Sequence, residues 1–293
     1  MTGKAGAVKV ELIDSAKEFI AATTAFRAAD PLRTNVIGSV SLAVSTDRTS
    51  YDDYRWWIVR NDDGDVVGVA MRTSPFNMVV APMPADAARA LGEQVGRFDD
   101  ELPGVSGPKD LMNALLEGYV ESKSPGSTRV PHQERLDLLY ELEDLITPDV
   151  EGVGRPARAE EVEALSTMLV EFAHEVALPS LSADDARESV KKSVDVGSLF
   201  CWELADDIVA IAGHAPLVTT DSTVIGRIGP VFTPKEFRRR GFGAAVTAHV
   251  SHHLLERGAR VMLFTDAANP TSNAIYQEIG YRLVDELVLL RFE

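Results

Sequence analysis

Between Val231 and Ala245 the sequence VFTPKEFRRRGFGAA runs from an apolar strand through a glycine-containing turn directly into a helix. The N-terminus of a helix carries unpaired N–H groups and the positive end of the helix dipole, so it attracts phosphate. Gly241 and Gly243 place no side chain between such an anion and the backbone. Four cations fall within the same short stretch: Lys235, Arg238, Arg239 and Arg240. The segment therefore predicts a pyrophosphate site at the start of the helix.

The elements around this turn follow in the order strand, two helices, three strands, helix, strand, helix, strand. The first half of the chain repeats that order loosely, from a strand near Val8 to one at 135–142. Between the halves lies TPDVEGVGRP (Thr147–Pro156), whose prolines and glycines are typical of a linker. We therefore expect an α+β fold with a mixed α/β sheet and two domains, 1–149 and 150–293. Two unrelated α+β domains are the alternative.

A second motif, NPTSNAIYQEIGY (Asn269–Tyr281), lies about 30 residues beyond the glycine turn. Together the two segments resemble the GNAT superfamily of acyl-CoA-dependent N-acyltransferases. The cofactor loop of that superfamily reads Gln/Arg-x-x-Gly-x-Gly/Ala, and its later motif runs near Asn-x-x-Ser-x-x-hydrophobic-Tyr and ends in Gly-aromatic. The resemblance covers about 153–293. It implies two tandem GNAT-like domains with a degenerate N-terminal one, because no Gly-x-Gly and no basic cluster follow NMVVAPMP in the first half.

The resemblance also implies a co-substrate, acetyl-CoA, and a set of residues that bind it. The backbone of Ile228–Thr233 would pair with the pantetheine arm, and Tyr276 would be the general acid that protonates the departing CoA thiolate. General acid catalysis of this kind contributes roughly 10²–10⁴-fold. The implied cofactor-binding residues are Val231, Phe232, Thr233, Arg238, Arg239, Arg240, Gly241, Phe242, Gly243, Ala244, Asn269, Asn273 and Tyr276.

An alkyl amine acceptor is mostly protonated at neutral pH and must lose a proton before it attacks the thioester. We take Glu203 as the candidate base, because it follows Trp202 on a strand that should face the cleft. The alternatives stay open: Asp266, His214, Glu171, Glu175 and the terminal carboxylate of Glu293.

Composition limits the partners of the chain. Its 293 residues include 29 Lys and Arg against 45 Asp and Glu, a formal net charge of −16. Nucleic-acid and anionic-membrane binders need the opposite sign, so we expect neither partner. The acidic chain instead favours a small-molecule or peptide amine as acceptor. The N-terminal sequence lacks the apolar stretch of a signal peptide, and no apolar run could span a membrane, so we expect a cytoplasmic protein. We further expect a monomer or homodimer.

Metal and thiol chemistry find little support in the sequence. The single cysteine, Cys201, allows neither an internal disulfide nor a cysteine-based zinc site, and it lies in no nucleophile motif. His249 and His253 have the spacing of two metal ligands on a helix but lack a third ligand, so we expect a solvated helix face there. We predict no metal site.

These observations predict an N-acetyltransferase that moves acetyl from acetyl-CoA to a primary amine by direct attack in a ternary complex. No covalent enzyme intermediate is needed. The alternative is a catalytically silent acyl-CoA-binding regulatory or interaction protein.

Overall fold

The structure, a computed structural model, describes residues 8–293 apart from 48, 50, 52, 99–101, 124–128 and 177–180. Its first half follows the predicted order of elements. The helices are α1 (Ala16–Ala29), α2 (Asn35–Ser45), α3 (Ala85–Phe98) and α4 (Met112–Ser122). The strands are β1 (Lys9–Ile13), β2 (Tyr54–Arg60), β3 (Val66–Thr73), β4 (Met78–Val80), β5 (Gly104–Pro108) and β6 (Pro131–Leu142).

The second half also follows the predicted order, with one short strand added. Its helices are α5 (Val162–Glu175), α6 (Ala183–Asp195), α7 (Phe242–Leu255) and α8 (Pro270–Glu278). Its strands are β7 (Val153–Pro156), β8 (Leu199–Leu204), β9 (Asp207–His214), β10 (Val218–Thr219), β11 (Val224–Phe232), β12 (Ala259–Asp266) and β13 (Tyr281–Phe292). The two-residue strand β10 is the addition.

Local sequence sets where these helices begin and end. The predicted N-cap of α6 is confirmed, because the hydroxyl of Ser182 accepts a hydrogen bond from the backbone N–H of Asp185 at 3.1 Å. Gly280 ends α8 in the left-handed region, with φ of +105°. A Cβ at that position would lie 1.8 Å from the carbonyl oxygen of Asp144, so only glycine fits.

All strands of the described ranges join one mixed sheet. Its order is β1-β2-β3-β4-β5-β13-β6-β12-β11-β9-β8-β7, and β10 pairs with β11 beside this path. The last strand of each half is exchanged: β6 lies against β12, and β13 lies against β5. β6 and β13 pair with each other from Leu142–Tyr281 to Pro131–Phe292. The sheet is therefore continuous across the linker, and the division into 1–149 and 150–293 stays a prediction.

Helices cover both faces of the sheet. Side chains of α3 and α4, and of α7, pack on one face in two apolar clusters. The opposite face is covered by α1 and α2 in the first half and by α5 and α6 in the second. We call these the α7 face and the α2 face. Because neighbouring residues of a strand point to opposite faces, each strand residue can be assigned to one of the two.

The two halves also meet on the α2 face. Arg227 on β11 is half-buried there and donates to the side-chain oxygen of Asn35 at 3.0 Å and to the hydroxyl of Ser39 at 3.3 Å. Arg33, from the connection between α1 and α2, donates to the carboxylate of Asp285 on β13 at 2.6 Å. Helix α2 and the turn before it are thereby fixed against strands of the second half.

None of the helices in the described ranges combines the length and the apolarity that a membrane-spanning helix needs.

Candidate active site

β11 and β12 separate at one end of the sheet. They pair in parallel up to Ile228 and Leu263, and the pairing stops there although both strands continue. On its other side β11 stays paired with β9 beyond an irregularity at Gly229–Pro230. A gap therefore opens between Gly229–Phe232 on β11 and Phe264–Asp266 on β12. We call this the strand gap.

The predicted pantetheine-binding residues lie beside this gap. Val231 and Phe232 pair with β9 on one side only, so the opposite edge of their backbone faces the gap. Thr233 follows directly after β11, and its carbonyl oxygen accepts a hydrogen bond from Nε of Arg238 at 2.8 Å. An extended chain lying in the gap could pair with β11 as a further strand does.

The N-terminus of α7 begins at the glycine turn. Gly241 precedes the helix with φ of +83°, and no side chain caps the first turn. The N–H groups at the start of the helix, on Phe242, Gly243 and Ala244, therefore have no partner within the helix. A Cβ on Gly243 would lie 3.3 Å from the hydroxyl oxygen of Thr233, so a larger residue would crowd the approach to these N–H groups.

The three arginines before the helix differ in their surroundings. Arg238 is held in place, because it binds the carboxylate of Glu175 at 2.6 and 2.7 Å and lies over the ring of Phe232 at 5.8 Å. Arg239 and Arg240 are exposed, and Arg240 lies 4.7 Å from the ring centroid of Phe242. Arg238 thus shapes the loop, while the other two are placed to meet an anion from solvent.

The two predicted asparagines occupy α8. Asn269 is the N-cap of that helix, and its side-chain oxygen accepts the N–H of Ser272 at 3.0 Å. Asn273 is 9% exposed, and its amide nitrogen donates to the carbonyl of Asp266 at 3.0 Å. The side-chain oxygen of Asn273 is buried and has no hydrogen-bond partner among the described residues. A buried acceptor without a donor is costly, so this position fits a ligand that carries an N–H or O–H group.

Tyr276 lies one turn further along α8 and is 8% exposed. It belongs to the same apolar cluster as Ile228 and Leu263, the last paired residues before the strand gap. Burial raises the pKa of Tyr276 to about 12, so its phenol stays protonated through the neutral range. Of the two predicted catalytic residues, Tyr276 is the one that the fold brings to the gap.

Glu203 lies elsewhere. It is on β8, which is separated from β11 by β9, and its carboxylate accepts a hydrogen bond from Nε of Arg155 at 2.7 Å. Arg155 also binds Glu161 at 2.6 Å, so the three side chains form a network at the outer edge of the sheet. Because β9 separates this network from the strand gap, we do not carry Glu203 forward as the base.

Two of the other base candidates already have a partner. Glu175 binds Arg238, as described above. His214 lies at the end of β9 with its Nδ1 2.9 Å from the carbonyl oxygen of Ala215. Asp266 is the exception, because it ends β12 and so borders the strand gap. Cys201 is buried, and burial raises the pKa of its thiol to about 12, which makes it a poor nucleophile.

The expectation of a solvated face for two histidines of α7 is wrong. The rings of His249 and His253 pack against Phe200 on β8 with centroid distances of 5.6 and 4.6 Å. His214 lies 6.0 Å from His253 in the same cluster. Burial lowers the pKa of each of these three histidines. Within the described ranges no group of three His, Cys, Asp or Glu side chains is arranged to hold a metal.

The corresponding region of the first half is built differently. Helix α3 begins at Ala85 after two prolines, and Asp86 places a carboxylate in its first turn. Helices α3 and α4 approach very closely: a Cβ on Gly92 or on Gly118 would lie 2.0 Å from a backbone oxygen of the opposite helix. The carboxylate of Asp86 accepts the N–H of Ala87 at 2.8 Å, so the first turn of α3 carries a negative charge where a pyrophosphate would need a positive one.

One carboxylate near the gap escaped the sequence interpretation. Asp137 on β6 pairs in register with Asp266, although β6 belongs to the first half. Its side chain is 16% exposed and forms an ion pair with Arg135 at 2.9 Å. The alternation of β6 places Asp137 and Leu139 on one face, but only the exchange of strands brings that face beside β12.

Comparison with known proteins supports this geometry. Residues 215–290 match the family described as FR47-like protein. No curated protein sequence matches the chain. A GNAT-family acetyltransferase from Colwellia psychrerythraea has a similar structure, with 12% identity, a TM-score of 0.64, and coverage of 97% of this chain and 99% of that one. A GCN5-related N-acetyltransferase from Sphaerobacter thermophilus shares 16% identity with a TM-score of 0.66 and coverage of 97% and 95%.

A third similar structure is a tandem GNAT protein from the clavulanic acid biosynthesis pathway. It shares 12% identity with a TM-score of 0.58, and the alignment covers 96% of this chain and 98% of that one. At such identities the likeness concerns the fold. The predicted resemblance to the GNAT superfamily and the predicted fold class, two GNAT-like domains with a mixed sheet, are therefore confirmed.

Proposed function

We propose that this chain, which has the fold of the GNAT acetyltransferases, transfers acetyl from acetyl-CoA to a primary amine of a small molecule or peptide. The transfer is direct, in a complex that holds both substrates. The observation that carries the proposal is the strand gap with the uncapped N-terminus of α7 beside it. An extended thioester arm and a pyrophosphate need these two features next to each other.

The residues at the gap fit acetyl-CoA. The N–H groups of Phe242, Gly243 and Ala244 would bind the pyrophosphate, with Arg239 and Arg240 adding positive charge. The backbone of Val231 and Phe232 would pair with the amides of the pantetheine arm, and the unpartnered side-chain oxygen of Asn273 would accept an N–H from it. When bound, acetyl-CoA supplies the acetyl group as an activated thioester.

Tyr276 would serve as the proton donor. Its phenol lies in the apolar cluster at the base of the gap, where the sulfur of a bound thioester would be. Donation of the phenolic proton to the departing sulfur avoids a free thiolate in an apolar environment. The buried Cys201, with its raised pKa, takes no part.

Calorimetric titration of the full chain with acetyl-CoA tests this function. We expect one site per chain, because Asp86 places a negative charge in the first turn of α3 in the first half. At a hundred times its dissociation constant, acetyl-CoA should also stabilise the folded chain by about 2.7 kcal/mol, which melting would detect. Two sites per chain would contradict the interpretation of the first half. No binding would refute the acetyltransferase proposal itself.

A further inference from the structure

Two half-buried arginines on the α2 face have no carboxylate partner. Arg27, near the end of α1, donates through Nε to the hydroxyl of Thr23 at 2.9 Å and through Nη2 to the carbonyl oxygen of Ile20 at 3.0 Å. Arg227 on β11 uses Nε and Nη2 for two neutral side chains of α2. Neither arginine forms an ion pair within the described part of the chain, and Nη1 of each has no acceptor there.

The two guanidinium groups lie against the same side of α2. Arg227 donates to residues 35 and 39 of that helix, and Nη1 of Arg27 lies 3.4 Å from the position of a Cβ on Gly38. Residues three and four apart on a helix are neighbours, with Cβ atoms about 5–6 Å apart. The two cations therefore meet within one turn of α2. Gly38, which has no side chain, leaves room beside Nη1 of Arg27.

Asn35 adds a third donor to this group. It is the first residue of α2 and is 1% exposed. Its side-chain oxygen accepts from Arg227, and its amide nitrogen is buried without an acceptor among the described residues. A buried donor without an acceptor is costly, and the positive end of the dipole of α2 lies at the same place. The unpartnered groups here are all donors, so they fit an anion.

The electrostatics of the two arginines also favour an anion. A nearby arginine, Arg33, has carboxylate partners, since it binds both Asp30 and Asp285. Burial lowers the pKa of Arg27 and of Arg227, and no carboxylate opposes this effect. A cation taken out of water costs free energy unless an anion is paired with it. A negatively charged ligand would supply the partner that the chain itself does not.

This cluster of donors lies next to the strand gap. Arg227 pairs in register with Met262, and the parallel pairing ends one residue later, at Ile228. Neighbouring strand residues point to opposite faces, so Arg227 points to the α2 face whereas Ile228 packs with Tyr276 on the α7 face. An amine that attacks the thioester from the α2 face would therefore lie beside the donors. From Arg227 to Gly229, where the gap begins, is two residues or roughly 7 Å, a distance that a short amino acid can span.

We propose that Arg27, Arg227 and the amide of Asn35 bind the carboxylate of the acceptor, so that the amine acetylated by this chain also carries a carboxylate group. Its two oxygens can accept hydrogen bonds from both guanidinium groups and from the amide. A carboxylate fits better than a larger anion, because the room beside Gly38 suits a group of about the size of a methyl. The carboxylate stays ionised and takes no part in the bond changes. This inference rests on the acetyltransferase function proposed above.

The test compares amines that differ only in their negative charge. The probes are β-alanine, 4-aminobutyrate and 5-aminopentanoate, each compared with its neutral amide. CoA release by the full chain gives kcat/KM for each probe. Melting of the chain in the presence of each probe reports binding without turnover, and propionate serves there as a carboxylate that has no amine.

Three variants change the donor cluster in different ways. Arg227→Gln removes one cation. Gly38→Ala places a methyl group in the room beside Arg27 and improves the helix propensity of α2, so it should not unfold the chain. Asn35→Asp gives Arg227 a carboxylate from within the chain. Arg60→Gln is the matched control, because Arg60 is a half-buried arginine of the first half that already pairs with a carboxylate.

We expect the wild-type chain to prefer at least one of the amino acids over its amide by roughly 10–100-fold in kcat/KM, the effect of hydrogen bonds to a charged group. The preference should fall towards one in Arg227→Gln, Gly38→Ala and Asn35→Asp and stay unchanged in the control. Asn35→Asp should also melt at a higher temperature, since the new carboxylate compensates Arg227. The preferred amino acid should stabilise the wild-type chain but not Asn35→Asp.

Equal turnover of acid and amide by the wild-type chain would overturn the inference, as would a preference that survives in Arg227→Gln and Asn35→Asp. A chain that binds acetyl-CoA but acetylates none of the probes would refute it as well. Stabilisation by propionate without a preference in turnover would assign the site to a separate ligand and contradict the role in acceptor binding. Absence of acetyl-CoA binding would refute the proposed function, whereas stabilisation by an amino acid that is lost in Arg227→Gln would still support the carboxylate site.

Discussion

Replacement of Tyr276 by phenylalanine removes one oxygen from the base of the strand gap. The ring is buried and keeps its shape, and no hydrogen bond joins its hydroxyl to another described residue, so folding should be barely affected. The substitution should instead lower the rate of acetyl transfer. General acids contribute roughly 10²–10⁴-fold, which corresponds to about 2.7–5.4 kcal/mol of activation free energy.

The pKa of the phenol indicates where in that range the effect should lie. Burial raises the pKa of Tyr276 to about 12, whereas a thiol titrates near ~8.5 in water. Transfer of the proton is then uphill unless the same apolar surroundings also raise the pKa of the sulfur. A proton donor whose pKa lies well above that of the leaving thiol contributes less than one whose pKa is close to it. We therefore expect Tyr276→Phe to lower kcat by about 10²-fold, the lower end of the range.

The assay compares Tyr276→Phe with Tyr281→Phe. The rings lie 6.1 Å apart, but the hydroxyl of Tyr281 is hydrogen-bonded to Ser251 at 2.7 Å and points away from the chemistry proposed here. The control should lose about 1 kcal/mol of stability and keep its turnover. Acetyl-CoA affinity should be the same in all three proteins. Full turnover in Tyr276→Phe would refute the acid assignment, and loss of acetyl-CoA binding would mean that the residue is structural.

Three further changes test other parts of the structure. Gly243→Val should weaken acetyl-CoA binding at least tenfold in calorimetry, since the new side chain would cover the first N–H groups of α7. Glu203→Gln should cost roughly 1–3 kcal/mol in denaturant unfolding, because Arg155 loses a charged partner, and should leave acetyl-CoA affinity unchanged. Burial lowers the pKa of three clustered histidines in the folded chain, so below ~6.5 the unfolded chain binds protons that the folded chain does not. The free energy of unfolding, measured at pH 7, 6 and 5, should decrease as the pH is lowered. The decrease should be smaller when one histidine of the cluster is replaced by Gln, at His214, His249 or His253.

The sequence was sufficient to predict the elements of this fold but not the neighbours of every strand. Caps and glycines act within a few residues, so Ser182 and Gly280 locate helix ends without knowledge of the tertiary structure. The exchange of β6 and β13 depends on contacts between residues more than a hundred positions apart. Both strands alternate apolar and polar residues, and that pattern sets which side chains share a face but not which strand lies alongside.

In the candidate site, too, the features set by neighbouring residues are predictable from sequence, and those set by distant contacts are not. The loop Arg238–Ala244 is one continuous segment, so its glycines and cations could be recognised together. The choice of Glu203 as base depends on its strand facing the cleft, whereas the sheet order places that strand beyond β9. Asp137 could not have been chosen from sequence, since nothing in the pattern of β6 indicates that β12 lies beside it.

The strand exchange also gives the first half a structural role that does not depend on any ligand. β13 lies between β5 and β6, and β6 lies between β13 and β12, so both edges of the second half's last strand are covered by first-half residues. Without residues 1–149, β12 and β13 would each expose an unpaired edge, and the apolar side chains Leu139 and Leu32 would be missing from the cluster around Met262. The first half is therefore needed to complete the sheet on which the strand gap is built, independently of any acetyl-CoA site of its own.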